Sequence, residues 1–243
     1  MLIPLNAEGS GVQMTKETPG FEVFSPHGTN RKIEGIKVET SDAEIRISLT
    51  ESYREAMGNS LIRIDANGNI IVDYNYVIRE ELNPRQWGMA FRLSVDMKVL
   101  KWKRRGLWSV YPDDHIGRNE GKARLFHDHS SSGLAGPKTK PGWHWNEDQT
   151  QYGSNDFRST KRNILEASLI NDKGSGIEVH PGGLQHIRSW YNQDAVHLLV
   201  AEYDNPGAEK FFRSHASHWD KALKAGDKIE GSIHLEIIDE QLQ

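Results

Sequence analysis

Short runs in which apolar and polar residues alternate recur along almost the whole chain, and this period-2 pattern most narrows what the chain can become. Phe21-Glu22-Val23-Phe24, Lys32-Ile33-Glu34-Gly35-Ile36-Lys37-Val38 and Glu44-Ile45-Arg46-Ile47-Ser48-Leu49 all show it. Alternation of this kind puts one set of side chains on a core and the other in water, as a half-buried strand requires. Leu61-Ile62-Arg63-Ile64 and the run from Ile70 to Ile78 flank Asp65-Ala66-Asn67-Gly68-Asn69. Asn67-Gly68 tolerates positive φ, so this is the clearest hairpin in the chain. Further strands are expected over residues 88–95, 98–103, 162–170, 176–179, 195–201 and 228–238. Helical periodicity is confined to His215–Ala225, stopped by Gly226, and to one turn over Ser52–Met57. No internal repeat occurs, and no Rossmann or Walker pattern. The expected fold class is all-β and antiparallel.

A chain of 243 residues is long enough for one large β domain or two smaller ones. Residues 1–20, punctuated by Pro4, Gly9, Gly11, Pro19 and Gly20, read as a lead-in, and residues 21–243 as a single domain. The net charge of -4 lacks the basic excess of a nucleic-acid binder. No apolar run approaches the roughly 20 residues of a membrane-spanning helix. Cysteine is absent, which excludes a disulfide scaffold, a thiolate zinc site and a cysteine nucleophile. The first ten residues lack the charged start and the long apolar core of a signal peptide.

Chemistry concentrates in two places. From Val99 to Asp114, followed by Gly117 and Gly121, the tryptophans Trp102 and Trp108 and the tyrosine Tyr111 sit among glycines, a proline and the pair Asp113-Asp114. Sugars are bound by such surfaces, with aromatic rings covering the C–H face and carboxylates taking the hydroxyls. The competing reading places Trp102 and Trp108 in a core. The basic run Lys101 to Arg105 reads as a solvated strand edge, where lysine discourages further pairing. The second place is the loop-like insertion over residues 127–152, which carries Trp143 and Trp145. A connection that long in a β domain is usually functional or mobile, and its tryptophans either contact a ligand or tuck beneath the loop.

His127 and His129 stand two apart in that insertion and would face one side of an extended segment. Nothing with zinc-like spacing supplies a third ligand, so no metal and no cofactor is expected. Glycosidic cleavage needs two carboxylates at fixed separation. Asp113 and Asp114 are adjacent and diverge in an extended chain, and no other acidic pair stands out as a dyad. No Gly-x-Ser-x-Gly elbow occurs. No catalytic residue is assigned. On a helix His215 and Trp219 would share a face, as a site or as packing.

The order of these features carries a resemblance. Asn83-Pro84-Arg85-Gln86-Trp87-Gly88-Met89-Ala90-Phe91-Arg92-Leu93 is similar to the opening of the C-terminal domain of family-two glycoside hydrolases, the β-galactosidase small domain. Trp102, Gly106, Tyr111, Asp113, Gly117 and Gly121 fall on that domain's tryptophan–glycine–tyrosine–aspartate signature. Arg158-Ser159-Thr160-Lys161-Arg162, then Leu169, Gly174, Gly176 and Ile177, resemble its paired-arginine segment. The chain departs from the pattern at Leu107 and Ser109, where the family has Pro and Glu. It departs again at Asp114, where the family has Arg, and at Gly153-Ser154, where it has Gln-Glu. The family's late tryptophan loop has Trp219 as its nearest counterpart, in a different context.

The resemblance implies an antiparallel β-supersandwich of the galactose mutarotase type. It also implies that the catalytic carboxylates lie on upstream domains of a larger hydrolase, of which this chain would be the C-terminal portion. The expected role is then a non-catalytic accessory domain shaping or supporting a carbohydrate site. Its partners would be a glycan and the upstream catalytic domains. Candidate carbohydrate contacts are Trp108, Tyr111, Trp143, Trp145 and Trp219 as stacking faces, with Asp113 as hydroxyl acceptor. The alternative is a free-standing mutarotase or epimerase, with His127, His129 or His180 and Glu178 as acid and base. A purely structural sandwich is the third possibility.

Overall fold

The computed structural model describes residues 31–81, 86–106, 118–125, 155–192, 195–204 and 223–239. Among them are twelve strands and one helical turn. The strands are β1 (Lys32–Thr40), β2 (Glu44–Ser52), β3 (Ala56–Asp65), β4 (Asn69–Ile78), β5 (Gln86–Leu93), β6 (Val99–Arg104), β7 (Glu120–Arg124), β8 (Ile164–Ile170), β9 (Gly176–Val179), β10 (His186–Asn192), β11 (Ala195–Asp204) and β12 (Lys228–Ile238). The turn is α1 (Asn155–Arg158). The antiparallel all-β class expected from the alternation is the class observed. No described helix is long and apolar enough to cross a membrane.

The chain divides into two compact units. Unit 1 comprises residues 1–90 and 201–234. In it β1, β2, β3 and β4 form an antiparallel meander, with the first part of β12 beside β4. Ile36 opposite Leu49, Val38 opposite Ile47, Ile47 opposite Ile62 and Ile62 opposite Val72 give the meander one apolar face. Along β4, Val72, Tyr74, Tyr76 and Ile78 are buried at every second position, so the period-2 pattern is realised directly.

The hairpin between β3 and β4 shows why its turn has this sequence. Gly68 takes φ 87°, and Asn67 does not need positive φ. The Asp65 carboxylate accepts the backbone N–H groups of Asn67 and Asn69, each at 2.9 Å. The helical turn expected over Ser52–Met57 is not formed. Ser52 and Met57 are instead a cross-strand pair, and Tyr53 N–H donates to Ala56 O at 2.7 Å. Tyr53 and Ala56 are both buried; a tight β2–β3 turn aims both inward, and that burial overrides local helix preference.

Unit 2 comprises residues 91–200 and 235–243. Its strands follow the order β12, β9, β8, β6, β7 from the end of β12 outward, all antiparallel. β6 is paired on both sides, with β7 and with β8. Lys101 and Lys103 of the basic run are therefore the solvated face of an interior strand, not an edge as expected, while Arg104 is half-buried. A separate three-stranded sheet has the order β10, β11, β5.

Candidate functional site

β6 has two faces with opposite chemistry. Leu100 and Trp102 point into the interior of unit 2, and Lys101 and Lys103 point to solvent. Trp102 is 3% exposed, with the Arg118 guanidinium carbon 4.7 Å and the Lys161 ammonium 4.6 Å from its ring centroid. Both distances are within reach of a cation–π attraction, which strengthens where water is excluded. Arg118 donates to Asp156 Oδ2 at 2.8 Å, and Lys161 Nζ lies 3.9 Å from Asp156 Oδ1. Lys161 also donates to the carbonyl and hydroxyl oxygens of Ser159, at 3.2 and 3.0 Å.

This cluster is held from several strands. Gly121 lies directly opposite Trp102 across β6 and β7, and a Cβ there would sit 2.4 Å from the indole carbon Cζ2 and from Arg118 Nε. The residue is glycine because the ring and the guanidinium fill that space. On β10, Ser189 Oγ donates to Phe157 O at 2.7 Å and Arg188 Nε donates to Arg158 O at 3.0 Å, fixing α1. Burial lowers the Lys161 ammonium pKa to about 7, with Asp156 opposing and the nearby arginines reinforcing the shift. Burial likewise raises the Asp156 carboxyl above its usual range, although Lys161 and Arg118 pull it down.

On the outward face a groove of about 710 Å³ runs over β7, β6, β8 and β9, with Lys101, Lys122, Ser168 and Glu178 among its lining residues. At the Glu178 end, His180 Nε2 lies 3.6 Å from Glu178 Oε1 and 3.2 Å from Glu236 Oε2. Burial raises the Glu178 carboxyl; His180 and Lys101 pull it back, and Glu166 and Glu236 push it further up. An imidazole between two carboxylates, one disposed to hold a proton, is an arrangement capable of proton transfer to and from a bound hydroxyl. Among the described residues no group of three or more histidine, aspartate and glutamate side chains is arranged to hold a metal ion.

The six candidate carbohydrate contacts, Trp108, Tyr111, Asp113, Trp143, Trp145 and Trp219, lie outside the described residues, as do His127 and His129. The helix expected over His215–Ala225 also lies outside them, apart from its last three residues. Of the acid–base candidates, His180 and Glu178 are described, and they are brought together. Glu236 was missed. It is 56 residues from His180 and reaches it only because β12 pairs with β9, where Glu236 faces Glu178. The sequence signal for it was the alternation of β12, which turns Glu236 away from the core side of Leu235.

No family model matches this chain, and no curated protein matches it. Solved structures with a similar course include a galactose mutarotase related enzyme from Lactobacillus acidophilus. It is 10% identical, with 84% of this chain and 71% of that one covered and a TM-score of 0.33. A candidate aldose 1-epimerase from Escherichia coli K12 is 11% identical, covering 84% and 68%, with a TM-score of 0.40. A galactose mutarotase-like protein from Lactobacillus casei ATCC 334 is 12% identical, covering 84% and 73%, with a TM-score of 0.38. The likeness concerns fold alone. What fold and geometry define is an antiparallel all-β protein with a buried ion cluster behind a charged sheet groove.

Proposed function

We propose that this chain is a carbohydrate-associated accessory domain, of the kind found at the C-terminus of family-two glycoside hydrolases, presenting a glycan-facing surface without cleaving bonds itself. Residues 21–243 act as one domain in this reading, with upstream catalytic domains as partners. The observation that supports it is the convergence of two resemblance-bearing segments. Trp102 and Gly121 from the first, and the Arg158–Arg162 segment from the second, meet in one buried cluster in unit 2. Lys161 of that segment stacks on Trp102, so residues 59 positions apart in sequence form one structural element. Their titratable groups are spent on each other and leave the outward groove for binding. In the groove the glycan is met by polar side chains such as Ser168 and Glu178; Trp108, Tyr111, Asp113, Trp143, Trp145 and Trp219 stay in this reading as candidate aromatic and hydroxyl contacts outside the described residues. The test is to assay the purified chain on aryl glycosides and to titrate it with oligosaccharides. Saturable binding with no hydrolysis is expected; robust turnover overturns the reading.

A second reading is favoured by one specific contact. His180 between Glu178 and Glu236 is the acid–base set that a sugar epimerase or mutarotase would use on an anomeric hydroxyl and ring oxygen. Polarimetry of anomer interconversion decides between the two. A rate well above buffer that is abolished by His180→Gln supports the enzyme, and a rate equal to buffer supports the accessory domain.

A further inference from the structure

The outward face of unit 2 carries an arrangement of charge that sheet stability alone does not favour. Lys122 on β7 lies opposite Lys101 on β6, Lys101 opposite Ser168 on β8, Ser168 opposite Glu178 on β9, and Glu178 opposite Glu236 on β12. One row across five strands thus begins with two lysines and ends with two glutamates. Like charges directly opposite destabilise a strand pair, and this row does so twice. Along the same face, Lys103 shows the opposite design: it stands between Glu120 and Glu166, so its charge is matched from both sides.

At the acidic end the repulsion is relieved by His180, which touches both glutamates. Lys101 and Lys122 form no ion pair among the described residues. Asp172, which acts on Lys122, is committed to Arg124 at 2.6 Å, and Glu120 and Glu166, which line the same groove, stand opposite Lys103. Glu178 acts on Lys101 only from two strands away. Both lysines are exposed and line the groove.

We propose that Lys101 and Lys122 form an anion subsite of the groove, taking a glycan that carries a compact oxyanion, a carboxylate or a sulfate, on one of its sugars. Two adjacent ammonium groups supply charge-assisted hydrogen bonds to such a group. Strands lie about 4.8 Å apart, so Lys101, two strands away, is separated from Glu178 by roughly 10 Å. That is the span of a disaccharide, whose hydroxyls would meet Ser168 and Glu178 further along the row. The proposal rests on the carbohydrate reading and narrows its ligand class.

Calorimetric titration of the chain tests it, using a glucuronate-containing oligosaccharide, a sulfated one, a neutral one of equal length, and inorganic sulfate. An acidic glycan is expected to bind about tenfold more tightly than the neutral one, with the preference shrinking at high salt. The double variant Lys101→Gln/Lys122→Gln, on exposed positions and checked by its melting curve, is expected to erase the preference. The carboxylate and sulfate arms identify which oxyanion the pair takes. Equal affinity for neutral and acidic glycans overturns the subsite and leaves the carbohydrate reading standing, as does a preference that survives the double variant. Inorganic sulfate binding as tightly as the acidic glycan also overturns it. Failure of every glycan to bind removes the carbohydrate reading as well.

Discussion

Among the described residues each unit buries a carboxylate beside an arginine, Glu51 in unit 1 and Asp156 in unit 2, and the two behave in opposite ways. In unit 1, Glu51 accepts two hydrogen bonds from Arg31, at 2.7 and 2.9 Å, one from Tyr53 at 2.9 Å and one from Ser60 at 3.1 Å. Burial pushes its carboxyl up, but these donors outweigh it and hold the group below the ordinary glutamate range. In unit 2, Asp156 accepts a single side-chain hydrogen bond from Arg118, and its Oδ1 has no hydrogen-bond partner. Burial wins there, and the carboxyl is raised. The number of donors, not the presence of a cation, decides whether a buried carboxylate stabilises its surroundings. Unit 1 is anchored by its ion cluster, while unit 2 accommodates one behind the groove.

The comparison breaks most visibly on amide substitution. Glu51→Gln removes the charge from four donors and is expected to cost about 3–5 kcal/mol, the range for breaking a buried pair. Asp156→Asn, where the charged form is already disfavoured, is expected to cost about 1–3 kcal/mol. Urea unfolding of the two variants at pH 7 gives both values. A larger loss for Asp156→Asn would reverse the ranking and the reasoning behind it.

Gly121→Ala comes next, at about 1–3 kcal/mol, because the new Cβ meets the buried indole of Trp102 at 2.4 Å. Gly68→Ala, in the exposed β3–β4 turn, fails for conformation rather than space. Its φ of 87° is costly for alanine, by roughly 1 kcal/mol. Melting curves that show the two equal would mean that the Trp102 ring can move aside.

The pH dependence sharpens the same contrast. The folded Glu51 carboxyl lies below its unfolded value, so its contribution is present above the unfolded pKa of about 4.3 and is lost as pH falls through the folded one. Stability of the wild type and of Glu51→Gln should therefore converge in acid. Lys161 runs the other way. Its folded pKa of about 7 lies below the unfolded value, so between about pH 7 and 10.4 the unfolded chain binds the extra proton and stability rises with pH. Lys161→Met should flatten that rise in urea titrations at pH 7 to 10. An unchanged slope would mean that the ammonium stays charged against Trp102. The smallest effect is expected from the partly exposed pair Arg63–Asp73 at 2.6 Å, where Arg63→Ala should cost no more than about 1 kcal/mol.

Legibility from sequence followed the same physics. β2, β4 and β12 alternate cleanly and were placed within a few residues, β12 to its very ends. β10 was missed because it is buried on consecutive positions, from Ile187 to Trp190, so no period of two remains. Arg188 and Ser189 are tolerated inside because backbone carbonyls accept their donors. β7 was missed because Ala123 is its single apolar side chain, and the strand exists to oppose β6. His180 and Glu178 were legible as neighbours two apart, but Glu236 became visible only through strand pairing. The basic run at Lys101 was legible as solvated, while its place inside the sheet depended on β7.

In the proposed reading unit 2 presents a carbohydrate-binding face and performs no cleavage. Calorimetric titration of the full chain with neutral and acidic oligosaccharides, alongside release of aryl aglycone in the same samples, tests it most directly. Saturable binding heat with no aglycone released is expected. Aglycone release above background, or no binding heat with any glycan, would contradict it.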